Sequence, residues 1–284
     1  MARSPVSVLM PVKNEEANLR RGLPALTWAD EIFVVDSQST DRTVEVAESF
    51  GAKVVQFHFN GTYPKKKNWA LDNLPFRNEW VLIVDADEVI TPELAEEIRD
   101  AVKRQGADGY YVNRRFVFMG RWIKHCGYYP SWNLRLFRHR LGRYERLSAA
   151  ADTNSGDNEV HEHIFLKGKS AKLKNDMFHF AYPDIFAWVE KHNRYSSWEA
   201  FTSLGGASGH CSDAPQISLE LRMKRALKRA AKKMPFRATS RFFYHYILRG
   251  GFLDGREGLI LSRLMGWYEY ISKVKEMEIR RKLV

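Results

Sequence analysis

The sequence predicts an α/β protein built on a mostly parallel sheet, followed by a helical, basic C-terminal region. Three observations predict it. Short apolar runs without alternation recur at residues 6–12, 31–37, 52–57 and 81–85, and such runs read as strands buried on both faces. Stretches with helical spacing separate them, and strand–helix units repeated four times in a row describe a parallel sheet with right-handed crossovers. The net charge of +11 is confined to the end of the chain, with 17 Lys and Arg against 6 Asp and Glu in residues 217–284 and 28 of each sign before them. A shift of this kind separates a neutral domain from a basic appendage suited to an anionic partner.

Taken in order, residues 6–12 (VSVLMPV) form the first strand. After Lys13-Asn14-Glu15-Glu16 comes a helix with Leu19, Leu23 and Leu26 on one side. The second strand, EIFVVDS, closes in a polar turn where Asp41 caps a helix running to about Phe50, with Gly51 as its stop. The third strand is AKVVQF; a helix over residues 65–74 and a fourth strand over residues 81–85 follow. Pro92 and the acidic first turn of PELAEEIRDAVKRQG start the next helix. Helical spacing returns over residues 183–204 and is broken by Gly205-Gly206-Ala207-Ser208-Gly209. Residues 217–234 set Ile217, Leu221, Leu227 and Ala231 against Arg222, Arg225, Arg229 and Lys232, a basic amphipathic helix. An aromatic run, FFYHYILRGGFL, and a last helix from about Arg256 complete the chain.

Several classes are excluded. The two cysteines, Cys126 and Cys211, are far apart and form no C-x-x-C pair, which argues against a disulfide framework or a structural zinc. No apolar signal core and no run of ~18 apolar residues occurs, so a cytoplasmic protein is expected. Neither G-x-G-x-x-G nor G-x-x-x-x-G-K-[ST] follows a strand, and no nucleic-acid-binding motif explains the basic charge. What stands out is that polar and acidic residues end three strands: Asn14 and Glu15, then Asp36, then Asp85 and Asp87. Open α/β sheets bind ligands at those ends. Asp85 and Asp87, two apart in extended chain, point the same way and offer hard oxygens suited to Mg²⁺ or Mn²⁺. The plainer reading is a turn in which aspartates cap and solubilise.

PVKNEEANL, VVDSQSTDRT, KKKNWAL and VDADE, in this order, resemble the N-terminal half of a family 2 inverting glycosyltransferase of the GT-A fold. HCGYYPSWNLRLFR, EVHEHIF and Phe252-Leu253-Asp254-Gly255 extend the likeness toward the lipopolysaccharide core heptose β-1,4-glucosyltransferase type. The resemblance implies a metal-dependent hexosyltransferase, glucose favoured, moving sugar from a UDP-sugar to a membrane-associated glycan such as lipopolysaccharide core. Residues 1–210 would be the catalytic domain, with residues 1–105 its nucleotide half and 106–210 its acceptor half; residues 211–284 would be the basic helical region.

Residue by residue, the resemblance makes Pro11, Val12, Asn14 and Glu15 the floor for base and ribose, and Asp36 the acceptor of the uracil N–H, a pairing that rejects a base lacking that donor. Lys67 would meet the diphosphate as a point charge, although Asn68 stands where the family has glycine. Asp85 would face the ribose or the cation's outer shell and Asp87 would bind the Mg²⁺ or Mn²⁺ directly, with His161 completing the site. A carboxylate must take the acceptor's proton; Glu162 is the first candidate, with Glu159, Asp157 and Asp152 as rivals. Tyr129 and Trp132 offer aromatic faces to the acceptor, and Arg135 and Arg138 a bidentate clamp for a phosphate on it. Basic amphipathic helices with flanking aromatics settle in membrane interfaces, drawn by roughly 1 kcal/mol per well-placed Lys or Arg. Residues 217–284 are therefore expected to hold the protein peripherally on the inner face of the cytoplasmic membrane, the alternatives being a helix packed on the catalytic domain with an ordinary solvated basic face and homo-oligomerisation through the same helices. Rival functions are the same chemistry on another bacterial glycan, a nucleotidyltransferase, and a non-enzymatic binder of anionic surfaces.

Overall fold

The computed structural model describes residues 3–104, 106–145, 163–201, 203 and 236–282. The first elements are β1 (Ser4–Val12), α1 (Glu16–Gly22) with a 3₁₀ turn over Leu23–Leu26, β2 (Ala29–Asp36), α2 (Thr43–Ser49), β3 (Lys53–Gln56), α3 (Lys66–Asn73), β4 (Trp80–Ile83), β5 (Glu88–Ile90) and α4 (Pro92–Lys103). They follow the sequence reading except in two places: the first helix tightens where Pro24 interrupts it, and the residues expected as a turn before Pro92 include a short strand, β5, that pairs with β11. Then come β6 (Gly109–Phe118), β7 (Arg121–Trp122), β8 (Trp132–Arg138), β9 (Gly142–Tyr144), β10 (Ile164–Leu166), β11 (Ser170–His179), α5 (Ile185–Phe201), α6 (Arg237–Phe243) with a π-helical turn over Tyr244–Leu248, and α7 (Gly255–Lys282).

Among the described residues, one compact unit takes everything up to Val117 together with residues 130–145 and 163–181; the other takes residues 118–129 and everything from Tyr182 onward. The units thus part near Ala181, whereas the sequence suggested a division at residue 210.

In the first unit the main sheet runs β3-β2-β1-β4-β8-β6-β11-β5. β1 is why the early strands lack alternation. Its Val6, Val8, Met10 and Val12 enter one core with Leu19 of α1 and Leu94 and Ile98 of α4, while Leu9 enters a second core with Ala70 and Leu71 of α3 and with Phe137. Both faces are covered, at roughly 1.5–3 kcal/mol for each large apolar side chain removed from water. β1, β2, β3 and β4 pair in parallel, so their C-terminal ends share one edge of the sheet. Val12 lies opposite Asp36, and Leu9 opposite Ile83. That edge collects Asn14, Asp36 and Asp85. β8 enters antiparallel between β4 and β6, which brings Trp132 to the same edge and sends Arg138 to the far one, opposite Trp80.

In the second unit α5 packs on α7 through an aromatic centre. The His192 ring stacks on Trp188 with centroids 3.6 Å apart, and burial holds its pKa at about 4. Gly266 lets α6 approach α7, since a Cβ there would stand 3.0 Å from the Ala238 carbonyl. Asp254, almost fully buried, accepts the backbone N–H of Lys124 and His125 and faces His125 Nδ1 at 3.0 Å. The Phe252-Leu253-Asp254-Gly255 segment is therefore a clamp inside this unit. The basic helix expected over residues 217–234 lies outside the described residues. Among the described residues no helix is long and apolar enough to cross a membrane.

Candidate active site

The turns after β1 and β2 are stitched to one another. Asn14 has a left-handed backbone (φ 55°); its N–H donates to Ser39 Oγ at 2.7 Å and its Oδ1 accepts from the Thr40 N–H at 2.8 Å. The Glu15 N–H donates to Thr43 Oγ1 at 2.8 Å. Pro11 and Val12 are buried in the sheet, so of the four residues expected to floor the nucleoside only Asn14 and Glu15 offer side chains at this edge, beside the exposed Lys13. Asp36 is fully buried and accepts from the Ser39 N–H, the Ser39 hydroxyl and Gln56 Nε2. With its side chain fully buried, Asp36 meets a ligand N–H only if the turn around it opens. Asp41 closes the turn, its Oδ1 accepting from the Thr43 N–H and hydroxyl at the start of α2.

The centre of the site is an ionic network at the end of β4. Lys65, Lys66 and Lys67 are all buried, which runs against the usual fate of a lysine run at a helix start. Lys66 Nζ donates to the Val12 carbonyl at 2.9 Å, and Lys67 Nζ meets Asp85 Oδ1 at 2.9 Å. Asn68 joins α3 to β9 through both the N–H and the C=O of Tyr144. On the other side of Asp85, Arg135 Nη2 lies 2.6 Å from Asp85 Oδ2 and 2.5 Å from Glu88 Oε1. Glu88 is fully buried; its second oxygen accepts the Asp85 N–H at 3.0 Å, and Arg114 reaches its first at 3.4 Å. Burial alone would raise the Asp85 pKa, but Arg135 and Lys67 together hold it well below the usual carboxylate range. Three cationic side chains converge on two carboxyl groups.

This network walls a cavity of about 250 Å³ that is also lined by Tyr111, Trp132, Asn133, Tyr144 and His163. Arg114 has donors to spare there. Its contacts are the long one to Glu88 and one to Ser131 Oγ at 3.2 Å, and its Nε is buried without a partner.

Several sequence expectations are corrected by this geometry. Ala86 and Asp87 form a turn rather than extended chain, so Asp85 and Asp87 keep different company. Asp87 Oδ2 lies 3.4 Å from His179 Nε2 at the end of β11. Arg135 is not an open clamp, because its guanidinium is engaged by Asp85 and Glu88. Arg138 is turned to the far edge by the antiparallel course of β8 and pairs there with Glu79 and Asp108. Tyr129 belongs to the second unit, edge-on to Trp122, while Trp132 lines the cavity in the first. Glu162 and His161, with Asp152, Asp157 and Glu159, lie outside the described residues; His163, next in the chain, lines the cavity and donates its N–H to Glu145 Oε1.

His179 was missed from sequence. A single histidine ending the strand SAKLKNDMFH carries no local signal, and its partner is distant in the chain. Among the described residues no three of His, Cys, Asp and Glu converge as a cation cage. Asp87 and His179, both partly exposed, are a carboxylate oxygen and an imidazole nitrogen side by side. That donor pair fits a divalent ion that fills the rest of its shell with water and phosphate oxygens.

Parallel strands that deliver carboxylates to one edge, continued by a mixed half-sheet that walls a cavity beside them, define the GT-A fold. Residues 7–164 match the family described as Glycosyl transferase family 2. The chain belongs to that family, and its activity is glycosyl transfer. An uncharacterized glycosyltransferase of Rickettsia bellii is 26% identical over 97% of this chain and 87% of its own length. The lipopolysaccharide core biosynthesis glycosyltransferase LpsC of Rhizobium meliloti is 28% identical, covering 69% of this chain and 70% of its own. Among solved structures, residues 1–349 of S. aureus TarS align over 99% of this chain and 92% of that one, at 16% identity and a TM-score of 0.44.

Proposed function

We propose that the chain moves a hexose, glucose favoured, from a UDP-sugar to a membrane-associated glycan of the lipopolysaccharide core kind, with inversion at the anomeric carbon. The observation that carries the reading is Asp85, held ionised between Lys67 and Arg135 on the wall of a cavity at the C-terminal edge of the parallel strands. The core acceptor is supported by the similarity to LpsC, and Arg114 on the cavity wall would meet a phosphate on it.

In this reading the nucleoside lies against Asn14 and Glu15, with Asp36 holding the turn that shapes its seat. Lys67 faces the diphosphate. Asp87 and His179 would hold Mg²⁺ or Mn²⁺, which supplies charge neutralisation for the departing nucleoside diphosphate. Trp132, Tyr111 and Tyr144 give the sugar apolar faces, and Asn133 an amide to orient its hydroxyls. Glu162 takes the proton from the acceptor hydroxyl as that oxygen attacks the anomeric carbon from the side opposite the diphosphate. Arg135 and Glu88 act at one remove, fixing the carboxylate and backbone of Asp85 so that no reorganisation is needed when charge develops.

The test is UDP release from a panel of UDP-sugars with Mn²⁺ or Mg²⁺, in wild type and Asp87→Ala. Release from one sugar that disappears with the substitution or with a chelator is expected. Equal release by the Ala variant, or no metal-dependent UDP binding at all, would overturn the assignment.

A further inference from the structure

The second unit carries an apolar ridge that transfer chemistry does not use. Phe243, Tyr244, Ile247, Leu248, Phe252 and Leu253 are between 42% and 77% exposed. The first four fall on one side of the helical chain, one turn apart in pairs; the turn at Arg249-Gly250, where Gly250 adopts φ 68°, then sets the last two beyond them. His245 and Asp254 of this segment face the other way. His245 is buried with Nδ1 on the Cys126 carbonyl, and Asp254 is spent on Lys124 and His125. Asp254 is the one carboxylate in residues 236–256 and is buried, and Glu257 just beyond it is partly buried and pairs with Arg121, so residues 243–253 carry no exposed carboxylate of their own, whereas Arg249 and Arg256 are exposed beside them.

Large apolar groups clustered in water mark a surface that something covers. We propose that residues 243–253 dock the second unit into the headgroup layer of an anionic lipid bilayer. Aromatic and aliphatic side chains flanked by arginines, with carboxylates withdrawn, match that interface in both polarity and charge, and the excess of 17 Lys and Arg over 6 Asp and Glu in residues 217–284 adds long-range attraction of the same sign. A second copy of the chain would bring like charge against like.

The experiment is co-sedimentation of the full chain with vesicles of phosphatidylcholine alone or mixed with phosphatidylglycerol, comparing wild type with the double variant Leu248→Asp, Phe252→Asp. Both substituted positions are solvent-exposed, and far-UV circular dichroism checks that the variant folds. Wild type is expected to pellet with phosphatidylglycerol vesicles only, less so at high salt, and the variant to bind them about tenfold or more weakly. Undiminished binding by the variant, no binding by wild type, or a wild-type dimer that the variant converts to monomer while vesicle binding persists would each overturn the proposal. Vesicle binding is read without catalysis, so the outcome is independent of the transferase assignment.

Discussion

Replacing Arg135 with Met removes the guanidinium that joins Asp85 to Glu88 while keeping an unbranched side chain in β8. Glu88, fully buried, is left with Arg114 at 3.4 Å as its remaining cation, and Asp85 is left with Lys67. Removing one partner of a buried ion pair costs about 3–5 kcal/mol, because the other charge stays behind uncompensated. At about 2–4 °C per kcal/mol for a unit of this size, thermal unfolding of the first unit should fall by roughly 10 °C. The pH dependence follows from the depressed pKa of Asp85. A carboxyl whose folded pKa is lowered contributes stability above its unfolded pKa and loses it as pH falls through the folded value. Wild type should therefore keep this contribution in full from neutral pH down to about 4 and lose it progressively below that. In the Met variant the depression is reduced to what Lys67 sustains, so the gap between the two proteins should be widest near neutral pH and shrink in acid. Arg135→Lys, which restores charge without the two-way reach, should recover part of the loss. Melts followed by circular dichroism between neutral and acidic pH test this. A Met variant within about 1 kcal/mol of wild type at neutral pH, or a gap that widens in acid, would refute the network as described.

Three further outcomes are expected. His179→Ala should raise the Mn²⁺ concentration needed for UDP release by about 10–100-fold while leaving the melting temperature near that of wild type; unchanged metal dependence would exclude His179 as a ligand. Glu162→Gln should lower kcat by about 10²–10⁴ with UDP-sugar affinity retained in calorimetry, and full activity would transfer the base role to Glu159, Asp157 or Asp152. Burial holds the imidazoles of His192 and His245 at about 4. The unfolded chain therefore binds more protons than the folded one between about 6.5 and 4, so the second unit should lose stability as pH falls through that window. Near-UV circular dichroism of its tryptophans reads the effect; a midpoint that stays flat from neutral pH to about 5 would contradict it.

Three strands of the parallel half, β1, β2 and β4, were legible because each is buried on both faces and therefore written as an unbroken apolar run, whereas β3 at the sheet edge is only half-buried, against the sequence expectation. The convergence of Asn14, Asp36 and Asp85 followed from topology alone, since parallel strands share an end. What could not be read depends on contacts between distant segments. NLRLFR gives no sign that its strand runs antiparallel between β4 and β6, so Arg135 and Arg138 looked equivalent when one points to the site edge and the other away. The burial of Lys66 and Lys67 is decided by the Val12 carbonyl and by Asp85, neither of which a helix pattern contains. The pairing of Asp87 with His179 requires β5 and β11 to meet, which no local spacing announces.

The insertion of β8 also has a consequence for how the protein is made. Strands β1 to β4 emerge from the ribosome in succession and can pair with one another at once, but the outer edge of β4 is closed only after residue 138 has been synthesised. β5 waits longer still, for residues 177–179 of β11. Until then the nascent half-sheet presents an open, apolar strand edge, the kind that recruits foreign strands. Truncated products ending between residues 90 and 130 should accordingly be the aggregation-prone species of this chain, and chaperone dependence should concentrate on that interval of translation.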